Sequence, residues 1–240
     1  MNLPSFFASL AVLSSPAFAA VSLPYTNNFS SSAADFTPNT AGQWSLNSGT
    51  YQNVVPGDTP SFSTLQVTGR AAPQPFQVST TFQVTAAAGN WSVGFAALST
   101  AADLGSASYY LADINQAGAM RFRVFNSGAA AGADSTVTTA GTSIGNIALN
   151  QTITLTLTGT YDMAGSLTLA LTAFNGTNTQ TITLASPIAS ASAFTGNFFG
   201  YRERSNTAGA GMTVQLDNFS IAAVPEPGSV ALLGLGIVGA

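Results

Sequence analysis

The 240-residue chain contains no cysteine, no histidine and no lysine. Without histidine or cysteine it has no Ser–His–Asp triad, no thiol nucleophile and no ordinary zinc or haem site. Without cysteine no disulfide can stabilise an exported domain, so stability must come from the core alone. Without lysine, Schiff-base chemistry and a Walker-type phosphate loop are excluded as well.

Charge is also scarce: 6% of the residues are charged, with five arginines against nine acidic residues and a net charge of −4. Nucleic acids and anionic membranes are bound chiefly through lysine and arginine, so we expect neither as a partner. The hydrophobic fraction of 46% and the aromatic fraction of 10% are too high for a disordered chain. The composition therefore predicts a folded, weakly charged domain with a sizeable core.

Residues 1–19 predict a secretory signal peptide. A short apolar run over residues 6–13 is followed by Ala17 and Ala19, a small-residue cleavage pattern that leaves Ala20 as the first mature residue. The run is too short to span a bilayer. No basic residue precedes it, which departs from the usual signal-peptide pattern, and a buried N-terminal helix is the alternative. We expect export, with signal peptidase as one processing enzyme.

The other end of the chain carries Val224, Pro225, Glu226 and Pro227 before the apolar residues 230–240. The two prolines remove backbone donors and favour an extended segment that a protease can bind. Residues 224–240 resemble the PEP-CTERM sorting signal of Gram-negative bacteria, in which Pro-Glu-Pro precedes a transmembrane helix and a basic cluster. The resemblance implies recognition by an exosortase, delivery to the cell surface or extracellular matrix, and only transient membrane contact through this segment.

This segment departs from the family pattern in two ways. The apolar run is shorter than the roughly 20 residues that a spanning helix needs, and no arginine or lysine follows it. We expect that the segment is truncated at Ala240. A degenerate signal and a hydrophobic C-terminal strand are the alternatives.

Residues 20–223 predict one all-β domain, because polar and apolar residues alternate with the strand period and turn signals recur at short intervals. In residues 152–158, threonines alternate with Ile153, Leu155 and Leu157, which predicts a strand with one buried and one wet face. About ten to twelve short antiparallel strands fit a two-sheet jelly-roll sandwich.

Residues 25–29, 93–95, 199–202 and 214–221 resemble strands of the concanavalin A-like (laminin-G-like) jelly roll. In that fold the first and last strands lie side by side. The resemblance therefore implies that residues 25–29 pair with residues 216–221.

Four of the five arginines form two pairs, Arg121 with Arg123 and Arg202 with Arg204. Residues two apart in a strand share a face, so neighbouring strands would combine the pairs into a small basic patch. Such a patch would hold the acidic groups of an exopolysaccharide by bidentate contacts. The structural alternative is that the arginines stack on tyrosines or pair with Asp113.

Aromatic residues in strands either stack on sugar rings or, more often, fill the core. The aromatic candidates are Tyr201, Trp44, Trp91, Tyr51, Tyr109 and Tyr110. Tyr201 adjoins Arg202 and completes the candidate glycan-binding set. That set is Arg121, Arg123, Arg202, Arg204 and Tyr201.

Glycoside hydrolysis needs two carboxyl groups about 5–9 Å apart, but Glu203 is the only glutamate of the predicted domain. We therefore predict no catalytic residue and no enzyme activity, with a glycoside hydrolase or lyase as the weaker alternative. No cofactor is predicted and no metal site is assigned. A structural calcium ion held by Asp35 or Asp58 with backbone carbonyls stays open.

By the resemblance, proteins with this sorting signal are associated with exopolysaccharide, biofilm or floc formation. We predict a structural or adhesive surface or matrix protein, processed by an exosortase and with exopolysaccharide as a possible partner. The alternative is a lectin-like module with a definable sugar site.

Overall fold

The computed structural model describes residues 20–40, 42–126, 135–137, 142–205, 207 and 209–224. These residues form sixteen strands in two sheets and one short 3-10 turn at Ser190–Ser192. Every strand pairing is antiparallel except the one between the first and the sixth strand.

The first sheet has eight strands. They are β1 (Ala20–Ser22), β3 (Thr37–Pro38), β6 (Ser61–Thr68), β8 (Trp91–Ser99), β9 (Tyr109–Asn115), β10 (Met120–Phe125), β11 (Ser135–Val137) and β15 (Phe198–Ser205). Their order across the sheet is β1-β6-β15-β8-β9-β10-β11, and β3 also pairs with β6.

The second sheet also has eight strands. They are β2 (Tyr25–Asn27), β4 (Trp44–Asn47), β5 (Thr50–Val55), β7 (Phe76–Ala87), β12 (Ile153–Tyr161), β13 (Leu167–Phe174), β14 (Thr179–Thr183) and β16 (Met212–Ala223). Their order is β14-β13-β12-β7-β16-β5-β4, and β2 also pairs with β16.

The main hydrophobic core lies between the sheets and follows the predicted alternation. In β12 the side chains of Ile153, Leu155 and Leu157 are fully buried, whereas the threonines between them are partly exposed, so the sequence prediction for this strand is confirmed. The expected ten to twelve strands are fewer than the sixteen described. The difference includes the strands β1, β3, β4 and β11, which have two to four residues and are too short to show a period.

The predicted pairing of the first strand region with the last is confirmed in β2 and β16. Ile221 lies opposite Tyr25, and Phe219 lies opposite Asn27. This pairing, with the two antiparallel-rich sheets, gives the jelly-roll sandwich that the sequence predicts.

The two ends of the domain lie side by side at one end of the sandwich. Ser22 and Leu23, after β1, line the same cleft as Ala222 and Ala223, at the end of β16. The backbone N–H of Val224 donates to the carbonyl oxygen of Pro75 at 3.0 Å. The last strand is therefore held by its neighbours up to the point where the Pro-Glu-Pro segment begins.

Substituting Leu155 with alanine is expected to lower the free energy of unfolding by about 2–5 kcal/mol, because it removes a fully buried side chain and leaves a cavity. The adjacent Thr154→Ala change on the outer face is expected to stay within about 0.5 kcal/mol. Urea unfolding of both variants measures the difference. Equal losses would contradict the assignment of the two faces.

Candidate functional site

The candidate surface is the outer face of the first sheet. Residues that lie opposite each other on paired strands point to the same side of a sheet. The strand register places five residues in one row across β6, β15, β8, β9 and β10: Phe62, Arg202, Gly94, Asp113 and Arg121. Tyr201 and Glu203, the neighbours of Arg202 in β15, point the other way and are fully buried.

The two arginine pairs share this outer face, but they do not lie on neighbouring strands as the basic-patch hypothesis required. β8 and β9 separate β15, with Arg202 and Arg204, from β10, with Arg121 and Arg123. Strand order in a sheet is a long-range property that the local alternation of residues does not encode. The structure therefore corrects the expected adjacency of the two strands, although the guanidinium of Arg202 extends far enough to lie over the ring of Phe125 in β10.

Arg121 and Arg123 enclose the carboxylate of Asp113. Arg121 donates from Nε and Nη2 to the two oxygens of Asp113, the second at 3.2 Å, and Nη2 of Arg123 lies 3.4 Å from Oδ2. The side chain of Asp113 is 1% exposed, against 26% for Arg121 and 9% for Arg123. The pairing with Asp113 that the sequence offered as an alternative is thus present, and Arg121 is the more accessible arginine of the two.

Arg202 belongs to the packing of the face. Its guanidinium carbon lies 4.9 Å from the centroid of the Phe125 ring, which stacks on Tyr109 with a centroid distance of 4.6 Å. A Cβ atom at Gly94 would collide with the carbonyl oxygen of Ala112, so this row position requires glycine. No side chain therefore stands at Gly94, between β15 and β9.

The loop between β8 and β9 covers part of this face. Leu104 and Ala107, both from the loop, join the small buried cluster that contains Phe62, Tyr109 and Phe125. Thr64 Oγ1 on β6 donates to the carbonyl oxygen of Ala102 at 2.9 Å, which holds the loop against the sheet. The cluster is separate from the core between the sheets.

Arg204 forms a surface ion pair with Asp58. Nη2 of Arg204 lies 2.8 Å from Oδ1 of Asp58, and the two side chains are 24% and 46% exposed. An exposed pair of this kind contributes at most about 1 kcal/mol to stability.

Tyr201 is not part of the candidate surface, because its side chain lies in the core. It is 0% exposed, and its hydroxyl lies 3.0 Å from Thr80 Oγ1. Burial raises its pKa well above the usual value. The other aromatic candidates are also buried, as the core interpretation predicted: Trp44, Trp91, Tyr51, Tyr109 and Tyr110.

A cavity of about 290 Å³ opens beside Arg121. Its lining consists of Asn90, Trp91, Asn115, Gln116, Ala117 and Arg121. Amide side chains both donate and accept hydrogen bonds, and a guanidinium donates in a fixed planar fork. This combination suits a polar ligand with hydroxyl and carboxylate groups. The amides of the β9–β10 turn were not among the residues singled out from the sequence, because a turn amide carries no signal of a cavity.

Glu203 lies in the core with its carboxyl group fully buried. Oε2 accepts a hydrogen bond from Asn53 Nδ2 at 2.7 Å, and Oε1 has no hydrogen-bond partner among the described residues. Burial raises the pKa of Glu203 from 4.5 to about 8, and the bond from Asn53 opposes this rise. The glutamate considered for hydrolysis is therefore inaccessible to a substrate in this structure.

The two aspartates considered for calcium have other partners. Asp35 Oδ2 accepts a hydrogen bond from the Tyr25 hydroxyl at 2.9 Å, and Asp58 pairs with Arg204. Over the described ranges, no group of three or more histidine, cysteine, aspartate or glutamate residues is placed to hold a metal ion.

Residues 223–240 match the family model of the PEP-CTERM protein-sorting motif. The match begins on the last residue of β16, one residue before the segment identified from the sequence. The motif implies processing by an exosortase and export to the cell envelope or surface. Pro225, Glu226 and Pro227 lie outside the described residues.

Ala17 and Ala19 of the predicted signal cleavage site also lie outside the described residues, whereas Ala20 begins β1. Within the part of the chain that is described, no helix is both long and apolar enough to cross a bilayer.

Solved structures similar to this chain include lectins, a carbohydrate recognition domain and alginate lyases. The carbohydrate recognition domain of Emp47p is 13% identical with a TM-score of 0.55, over 84% of this chain and 96% of that domain. Lectin I from Ulex europaeus is 14% identical, with a TM-score of 0.51 over 83% and 98% of the two chains. Alginate lyase Aly36B is 11% identical, with a TM-score of 0.53 over 85% and 98%.

These likenesses show a concanavalin A-like jelly-roll fold, and the identities are too low to show more than the fold. No curated protein sequence matches this chain at a significant level.

Glu203 predicts an unusual dependence of stability on pH. The folded state keeps a proton that the unfolded state releases between about pH 4.5 and pH 8. The contribution of Glu203 to the free energy of unfolding is therefore highest below this range. It falls as the pH rises through the range, by about 1.4 kcal/mol per unit of pKa difference. The chain has no histidine or cysteine to titrate in the same range.

Glu203→Gln keeps an acceptor for Asn53 and cannot ionise. We expect this variant to lose the fall in stability between pH 5 and pH 8 and to exceed the parent protein in stability at pH 8.5. Urea unfolding at a series of pH values measures both effects. A parent protein that is equally stable at pH 5 and pH 8 would contradict the raised pKa.

Proposed function

We propose that the protein is an exported, non-enzymatic component of the cell surface or extracellular matrix of a Gram-negative bacterium. Its role is structural or adhesive, within the exopolysaccharide of a biofilm. The observation that supports this proposal most directly is that the sorting motif begins on Ala223, the final residue of the last strand. Cleavage within the motif would leave a complete sandwich, because β16 and Val224 are already paired with β7 and Pro75.

Two carboxyl groups of the first sheet, those of Glu203 and Asp113, are not accessible to a substrate, which supports a non-enzymatic role. Glu203 is enclosed between the sheets, and Asp113 is enclosed by two arginines. Of the exposed aspartates beside this face, Asp58 forms an ion pair with Arg204, and Asp103 accepts hydrogen bonds from Gly105 and Ser106 within its own loop. Acid–base hydrolysis of a glycan needs two accessible carboxyl groups on opposite sides of one bond.

The intact mass of the native protein in the surface fraction of its own host tests the processing. We expect a chain that starts near Ala20 and ends between Val224 and Pro227. A surface-fraction protein that retains residues 228–240 would contradict exosortase cleavage and, with it, the matrix role.

A lectin-like role is the second candidate, and the cavity beside Arg121 favours it. Arg121 is held by Asp113 and is still 26% exposed, so its orientation is fixed before a ligand binds. Fixed donors lose less entropy on binding than mobile ones. The outer face and the loops beside it carry four arginines and three aspartates, Asp113, Asp58 and Asp103, in a protein whose net charge is negative. An acidic exopolysaccharide is the ligand that fits this charge.

Arg121→Ala is expected to weaken binding to a polyuronate such as alginate by about tenfold, the usual loss for one charge-assisted contact. Affinity electrophoresis in alginate-containing gels measures the change. Arg204→Ala is the matched control, since it removes the same charge from the same face without lining the cavity. Equal effects of both variants would indicate general charge attraction and contradict a defined site.

A further inference from the structure

The outer face of the second sheet has a chemistry unlike that of the first. Its outward side chains form rows across the strands, defined by the register. The first row, called here the amide row, is Ser45, Gln52, Gln215, Gln83 and Thr152. A parallel row, called here the hydroxyl row, is Ser220, Ser79, Thr156, Thr172 and Thr181.

Both rows contain only hydroxyl and amide groups, and several of these groups are hydrogen-bonded to one another. Gln83 Nε2 donates to Thr152 Oγ1 at 2.6 Å, and the hydroxyl oxygens of Thr172 and Thr181 lie 2.8 Å apart. The row between them contains Asp217, Thr81, Thr154, Phe174 and Thr179. Asp217 is the only charged residue of these three rows.

A β-bulge in β16 interrupts the face at Asp217. The register with β7 shifts between Asp217 and Ser220, and Asn218 adopts a left-handed conformation with φ of 53°. The carboxylate of Asp217 accepts hydrogen bonds from the backbone N–H and the side-chain amide of Asn218, at 2.7 and 3.0 Å. Bulges commonly redirect side chains at functional sites.

Two clefts meet at this bulge. One, of about 300 Å³, is lined by Thr50, Thr81, Phe82, Gln83, Thr152, Gln215, Asp217 and Asn218. The other, of about 470 Å³, is lined by Thr26, Asn27, Asn28, Asn218, Phe219 and Ser220. Asn218 lines both clefts, so they adjoin; together they are called here the depression, and hydroxyl and amide groups supply most of its lining.

We propose that this depression and the adjoining amide row bind an uncharged polysaccharide. Sugar hydroxyls donate and accept hydrogen bonds, and so do the side chains of this face. No cation in the rows or the cleft linings could neutralise a uronate or sulfate, and the Asp217 carboxylate would repel one. The amide row crosses four strands and reaches Thr152, the residue before β12, so its five positions extend over about 19 Å, enough for a polysaccharide chain to lie across the strands.

This proposal is independent of the arginine-bearing face, which lies on the opposite side of the sandwich. Gln83→Ala combined with Gln215→Ala removes two amides from the depression. Gln77→Ala combined with Gln180→Ala is the matched control, because it makes the same two changes on the second sheet outside both clefts. Thermal unfolding of each variant checks that the fold is kept.

Affinity electrophoresis of the folded protein uses gels with hydroxyethyl cellulose, a soluble β-1,3-glucan, dextran or galactomannan, and alginate as the anionic comparison. We expect at least one neutral polymer to retard the protein. The Gln83/Gln215 variant should then bind about tenfold more weakly, from the loss of two hydrogen bonds. The Gln77/Gln180 variant should bind the same polymer as the parent does.

The proposal is overturned if none of the four neutral polymers retards the protein, or if the Gln83/Gln215 variant is retarded as strongly as the parent. It is also overturned if Arg121→Ala abolishes the neutral binding, since the ligand would then occupy the first sheet. Loss of alginate binding alone, with neutral binding intact, would affect the lectin-like role of Arg121 and leave this proposal standing.

Discussion

The aromatic contacts of Tyr201 connect the two sheets and determine what each face of β15 displays. Its ring stacks on Phe36 at a centroid distance of 5.7 Å and meets Phe219 edge-on at 5.4 Å. Because Tyr201 must point inward, Glu203 points inward as well, and Arg202 and Arg204 point outward. Tyr201, which is too buried to contact a ligand, thus determines the outward orientation of Arg202 and Arg204 and the burial of Glu203.

The two outer faces differ in how charged and neutral polar side chains are distributed over them. On the first sheet the few charges are concentrated and neutralise one another, as in the enclosure of Asp113 by Arg121 and Arg123. In the three rows of the second sheet, most side chains end in hydroxyl or amide groups and Asp217 is the only charged residue. Gln83 donates a hydrogen bond to Thr152 there. Together, the two proposed sites would let one domain contact an acidic and a neutral glycan at once.

Local patterns were sufficient to predict the longer strands, but not the order in which those strands pair. The threonine alternation around Leu155 gives β12 and its buried face, and the family resemblance gives the pairing of β2 with β16. The separation of Arg202 from Arg121 by two strands follows from a strand order that no short sequence window contains. For the same reason the bulge at Asp217 and the clefts beside it could not be predicted from the sequence, in which Asp217 is only an aspartate within a strand.

The first and last strands of the described domain meet at one end of the sandwich, and the length of β16 gives the distance to the opposite end. β16 runs twelve residues from Met212 to Ala223, and Met212 pairs with Ala87, four residues before the Trp91 that lines the Arg121 cavity. At about 3.4 Å per residue the strand is nearly 40 Å long. A protein held at its C-terminal end would therefore display Arg121 at its outermost tip, and the rigid sandwich would itself serve as the stalk.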